Sequence, residues 1–127
     1  MPKYLTKHLA LAIHHDLIES FGGQHGLLDE GRLEAALELP KSGFGNSERF
    51  PTLAAKAAAY LVGVAKGHPF ADGNKRTAFA LADTFLRLNG LELRLSDEEL
   101  FELVLNAATC RLDADAVAER LTAGLGR

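Results

Sequence analysis

Between Thr52 and Gly67 the chain runs TLAAKAAAYLVGVAKG, which as a helix is nearly apolar on every side apart from Lys56, Tyr60 and Lys66. A helix without a polar face has to be surrounded, and its small residues let neighbouring helices come close. No apolar run in the chain reaches the roughly 18 residues that span a bilayer, so protein rather than lipid is expected to cover this helix. A second helix is predicted from about Asn74 to Asn89, with Ala78, Phe79, Leu81, Ala82, Phe85, Leu86 and Leu88 apolar. Its polar residues Arg76, Asp83 and Arg87 fall on one stripe, so most of its circumference is core and Asp83 with Arg87 makes an i,i+4 surface pair.

The remaining segments supply the cover. Thr6 to Phe21 reads as a helix capped by Thr6 and stopped by Gly22-Gly23, with Leu9, Ala10, Ile13, Leu17 and Phe21 on one side. His8, His15 and Glu19 have spacings compatible with metal ligation but read as a solvated polar face. Asp29 caps a helix to about Leu39 that Pro40 stops, with Leu33, Ala36 and Leu37 buried. Lys41 to Pro51, with glycines at 43 and 45 and no sustained period, reads as a loop or flap. LELRLS, 91–96, alternates as a short strand would, and it either pairs with the Gly43 region or is merely extended. Ser96 with Glu99 forms a capping box for a helix to about Ala108, and Asp113 caps a last one. The expectation is an all-α bundle of about six helices around a buried central helix, with a short β element at most.

With 127 residues the chain has length for one domain with a real core and not for two, so residues 1–127 are taken as a single domain. A net charge of −3 gives no basic footprint for direct nucleic-acid binding. His8, His14, His15 and Asp16 interrupt the apolar residues near the start, which is not the layout of a secretion signal, so a cytoplasmic protein without membrane contact is expected. Cys110, the single cysteine, excludes an internal disulfide and reads as a helix end packed in the core.

Between the two apolar helices lies GHPFADGNKRTAF, Gly67 to Phe79, whose nine positions from His68 to Arg76 hold a histidine, an acid, an asparagine, a lysine and an arginine. Pro69 disfavours helix at His68 and biases it to extended backbone. Gly73 permits a positive φ and a close approach of backbone to ligand. The loop then leads into a helix N-terminus, where free N–H groups and the dipole favour phosphate. In that setting His68 is suited to accept a proton from a hydroxyl, and Asp72 to hold Mg²⁺ alongside substrate phosphates. Gly73, Asn74, Lys75 and Arg76 supply the turn, donors and positive charge for phosphate oxygens. A generic P-loop is excluded, because a helix precedes the stretch and the spacing from Gly67 to Lys75 is one residue too long.

HPFADGNKR resembles the Fic/Doc superfamily signature H-x-F-x-[DE]-[GA]-N-[GK]-R, and Lys75 is the variant of its death-on-curing (Doc) branch. Gly22 to Leu37, Ala59 to Gly67 and Phe85 to Gly90 are similar to the same branch, so the likeness covers nearly the whole chain. Lys75 stands where nucleotidyl-transferring members have an anion-hole glycine, and Phe79 where they have a second arginine. The resemblance implies a toxin of a type II toxin–antitoxin system that transfers phosphoryl from ATP, with Mg²⁺, to a protein hydroxyl. It further implies a threonine of elongation factor Tu as target and translation arrest as outcome. Also implied is an antitoxin whose disordered C-terminal segment folds along an apolar groove, for which the first helix and the Lys41–Pro51 loop are the expected walls. That loop is similar to the family flap lining the target groove. A nucleotidyltransferase using the same base and metal, and a catalytically inert partner-binding module, stand as alternatives.

Overall fold

The computed structural model describes residues 1–126. Its α-helices are α1 (Lys7–Phe21), α2 (Glu30–Glu38), α3 (Leu53–Gly67), α4 (Asn74–Leu88), α5 (Asp97–Ala108) and α6 (Ala114–Gly124). The bundle is all-α apart from one small hairpin. A 3₁₀ turn, Leu39–Lys41, extends α2, and strands β1 (Gly43–Phe44) and β2 (Ser47–Glu48) pair antiparallel, Gly43 opposite Glu48 and Phe44 opposite Ser47.

The helix starts follow the sequence closely because each has its own local chemistry. Thr6, Asp29, Thr52, Ser96 and Asp113 each accept a hydrogen bond from the backbone three residues on, and Ser96 with Glu99 closes a reciprocal capping box. α3 is the buried axis, touching α2, α4, α5, α6 and the 3₁₀ turn. Ala57, Ala58, Ala59, Leu61, Val64 and Ala65 are wholly enclosed. Gly63 is required where α2 crosses: a Cβ there would lie 3.0 Å from the Ala36 Cβ. Tyr60, also enclosed, receives the Leu5 amide on its hydroxyl at 3.0 Å, and burial pushes its pKa up to about 12.

Two expectations, on Lys56 and Cys110, need correction, and one open alternative is decided. Lys56 is buried, its ammonium donating to the Phe50 carbonyl and, at 3.0 Å, to Glu48 Oε1. It thereby ties the β1–β2 hairpin to α3. Of the two alternatives for residues 91–96 the extended one holds: they do not pair with the Gly43 region, and they carry one bridge from Leu93 to Leu125 and a 3.0 Å bond from the Arg94 amide to the Gly124 carbonyl. The Gly43 region instead folds on itself. Cys110 follows the end of α5 as expected, but it has φ 62° and is exposed, because the left-handed turn there swings its side chain outward.

Candidate functional site

The loop from Gly67 to Gly73 joins the end of α3 to the start of α4 and carries His68 and Asp72 exposed. His68 is left-handed (φ 48°, ψ 55°), not extended. It caps α3, its amide donating to the Val64 carbonyl at 3.1 Å, and the chain escapes the helix through a left-handed residue because Pro69 bars the right-handed one. That conformation costs a non-glycine residue about 1–2 kcal/mol, and it leaves the imidazole exposed.

Asn74 opens α4 and is buried. Its Oδ1 accepts the Phe70 amide at 3.0 Å while its Nδ2 donates to the Phe70 carbonyl at 2.9 Å. The amide assigned from sequence to phosphate is therefore a clamp across the loop. The two bonds fix which end is nitrogen, so the N–H that lies 3.3 Å from His68 Nδ1 donates to it. In this arrangement a neutral His68 carries its proton on Nε2.

Asp72 is exposed, with Oδ1 accepting the Gly73 amide at 3.0 Å and Oδ2 the Gln24 amide at 3.2 Å. Each oxygen keeps a lone pair, so the carboxylate is oriented yet open to a hard cation. Among the described residues no group of three or more His, Cys, Asp or Glu converges on one point. A cation at Asp72 would thus complete its shell with phosphate and water, as Mg²⁺ ordinarily does. His15 and His25 approach Glu19 to 3.7 and 3.8 Å on the exposed side of α1.

Two segments from the N-terminal part brace this loop. The α1–α2 connection bonds to it through Leu28 N–H to Pro69 O (2.8 Å) and Ala71 N–H to Gly26 O (2.9 Å). From α1 comes His14, which sequence reasoning missed. It is 4% exposed, its ring stacks on Phe70 at 3.7 Å and 7°, and its Nε2 lies 2.8 Å from the Asp72 carbonyl. Burial lowers its pKa, which keeps the ring neutral near pH 7. The four-residue spacing Ala10, His14, Ile18, all buried, was the available signal.

α4 is the only α-helix among the described residues whose start has no side-chain cap. Gly73 provides the entry at φ 73°, and a Cβ there would also press on Ile18 Cδ1 at 3.0 Å. The first intrahelical donor is Thr77, 2.9 Å from the Gly73 carbonyl, so the amides of Asn74, Lys75 and Arg76 precede it and point out of the helix end. Lys75 and Arg76 are exposed beside them. An anion suits this end of the helix, and the Arg76 guanidinium lies over the Phe21 ring at 4.5 Å.

Next to Arg76 opens a groove of about 660 Å³ between α1, α4 and α5, floored by Phe79 and walled by Leu17, Phe21, Leu100 and Phe101. Lys75, Arg76, Asp83 and Asp97 also reach it. Its walls are α1 and α5; the Lys41–Pro51 loop does not line it.

Residues 4–86 match the family model described as "Fic/DOC family". "Toxin Doc" of Mycolicibacterium smegmatis is 40% identical over 104 residues, 80% of each chain. "Protein kinase doc" of Escherichia phage P1 is 35% identical over 119 residues, 94% of this chain and 93% of that one. The matched region holds the whole motif loop, the helices on either side of it and the α1 brace, so the geometry and the likeness coincide, and the chain belongs to the Fic/DOC family.

Proposed function

We propose that this chain, a single Fic/Doc-like domain over residues 1–127, is the toxin of a type II toxin–antitoxin system and a protein kinase of Doc type. The observation that carries the reading is the joining, on one clamped loop, of an exposed imidazole, an oriented carboxylate and an uncapped helix N-terminus flanked by Lys75 and Arg76. The similar proteins named as a toxin and as a protein kinase support it.

ATP is the phosphoryl donor. The helix end with Lys75 and Arg76 binds its phosphates, the backbone at Gly73 allowing close approach and Asn74 keeping the loop in shape. Asp72 holds Mg²⁺, which when bound neutralises charge on the phosphate oxygens. His68 takes the proton of the attacking protein hydroxyl as the oxygen–phosphorus bond forms and the bond to the departing ADP breaks. For this its ring proton passes from Nε2 to Nδ1 through solvent, giving up a 3.3 Å contact that is long for a hydrogen bond. The target is a threonine hydroxyl of elongation factor Tu, the outcome is translation arrest, and the place is the cytoplasm. No helix among the described residues is long and apolar enough to cross a membrane. The antitoxin's disordered C-terminal segment folds into the α1–α4–α5 groove.

The test mixes the purified protein with elongation factor Tu and ATP labelled at the α or the γ phosphorus. Label from the γ position on the target is expected. Label from the α position would make it a nucleotidyltransferase, and no label from either an inert binding module. Lys75→Gly should reduce γ transfer, because the cation that favours this phosphate arrangement is removed.

A further inference from the structure

His14 lies outside the motif, yet it is the residue on α1 that grips the motif loop most closely. Its ring covers Phe70 nearly face to face, 3.7 Å between centroids. The Asp72 carbonyl can only accept, so His14 Nε2, 2.8 Å away, must carry the proton and donate. One residue further, a Cβ on Gly73 would come within 3.8 Å of the same nitrogen. The peptide plane between Asp72 and Gly73 is therefore held from the α1 side. On it depend both the Gly73 amide, which donates to Asp72 Oδ1, and the entry into α4. The other carboxylate oxygen is held by the Gln24 amide, just past the end of α1. A Cβ on Gly23 would meet Oδ2 at 2.9 Å, so the backbone there has been left bare to let the carboxylate in.

We propose that His14 is a positioning residue, which by donating from Nε2 to the Asp72 carbonyl while stacked on Phe70 sets the direction of the Asp72 carboxylate for cation binding. The cation part rests on the reading of Asp72 given above; the orienting part does not. A stack alone would hold Phe70 but leave the 72–73 peptide free to rock. A donor alone, at the Nε2 position, holds that peptide.

Two variants separate the donor from the ring. His14→Phe keeps an aromatic ring and removes the donor, and His14→Gln places an amide N–H near the position of Nε2 without the ring. In the ligand-free protein, amide hydrogen exchange at Gln24 and Gly73 should quicken by about five- to tenfold in His14→Phe, the effect of losing one buried hydrogen bond. His14→Gln should stay within about twofold of wild type at the same two amides. Exchange in α3 should be unchanged in both. The gain in ATP affinity on replacing EDTA with Mg²⁺, measured by calorimetry, should shrink in His14→Phe and persist in His14→Gln. Wild-type exchange at Gln24 and Gly73 in His14→Phe overturns the proposal. So does faster exchange at those amides in His14→Gln, a result that stands even where the phenylalanine variant does not fold. Parallel loosening of α3 and the loop in both variants would reduce His14 to a packing residue and equally overturn it. A wild-type protein whose ATP affinity does not respond to Mg²⁺ defeats the reading of Asp72, and the exchange result then decides on His14 by itself.

Discussion

Asn74 commits both ends of its amide to Phe70, and this makes it the residue on which the shape of the motif loop depends. Asn74→Ala would leave the Phe70 N–H and C=O without their partner in a buried setting, at about 1–3 kcal/mol each before relaxation. A loss of about 2–4 kcal/mol in a urea titration, together with loss of transfer, is expected. A stable Asn74→Ala protein that has lost only nucleotide binding would instead make the asparagine a ligand. His68→Asn is the matched control: asparagine tolerates the left-handed conformation at φ 48°, so stability should persist while transfer falls by about 10²–10⁴. At this scale the sequence was legible wherever composition concentrated polar groups, as from His68 to Arg76. It was misleading where a polar type serves an interior. His14 looked like an interruption of an apolar stretch and Lys56 like the polar edge of α3. Both are buried because a specific acceptor waits for each, and such acceptors come from residues 58 positions away in the first case and 6 to 8 in the second.

The elements divide in the same way. Helix starts and stops were legible because capping is decided within four residues, and the predicted caps Thr6, Asp29, Ser96 and Asp113 each open their helix. Residues 91–96 were not, because alternation predicts exposure on alternate sides without saying whether a partner strand lies alongside. Gly124 is what allows that segment near α6: a Cβ there would meet Leu95 Cδ2 at 2.7 Å. The β1–β2 hairpin is a second such element. Gly43 admits the Ser47 carbonyl, which would lie 2.3 Å from a Cβ, and Phe44 projects 92% exposed. Beyond its own pairing the hairpin is held by Lys56 through Glu48 and the Phe50 carbonyl. Lys56→Met removes the buried cation and leaves the Phe50 carbonyl without that donor, while Glu48, its side chain 54% exposed, returns to water. The variant should lose about 1–3 kcal/mol in a urea titration and, under conditions where it is still folded, loosen the hairpin, so that chymotrypsin cleaves after Phe44 faster than in wild type. Unchanged cleavage would mean that strand pairing and the bond from the Arg49 amide to the Ser42 carbonyl suffice to hold it.

For the molecule as a whole, α1 is shared between two surfaces. Its His14–Ile18 edge braces the motif loop, and Leu17 and Phe21 on the adjoining edge wall the groove. Phe21 and Phe101 face that groove at 62% and 67% exposure, an apolar surface of the kind that marks a binding site for another chain. Because Phe101 takes part in none of the motif loop's hydrogen bonds and is exposed rather than core, it can separate neutralisation from transfer. Phe101→Glu sets a charge in the apolar wall four residues from Asp97, so a partner segment that buries this wall would meet an unpaired carboxylate. Truncating or spoiling a central aromatic anchor commonly costs 2 kcal/mol or more of binding, about 30-fold in Kd. Expressed alone, the variant should arrest growth as the unaltered chain does; co-expressed with the product of the adjacent reading frame, it should escape rescue and fail to co-purify. Full rescue of Phe101→Glu would move the partner's seat away from this groove. A chain that never arrests growth would remove the toxin reading, while co-purification of the unaltered chain and its loss in the variant would still report what the groove binds.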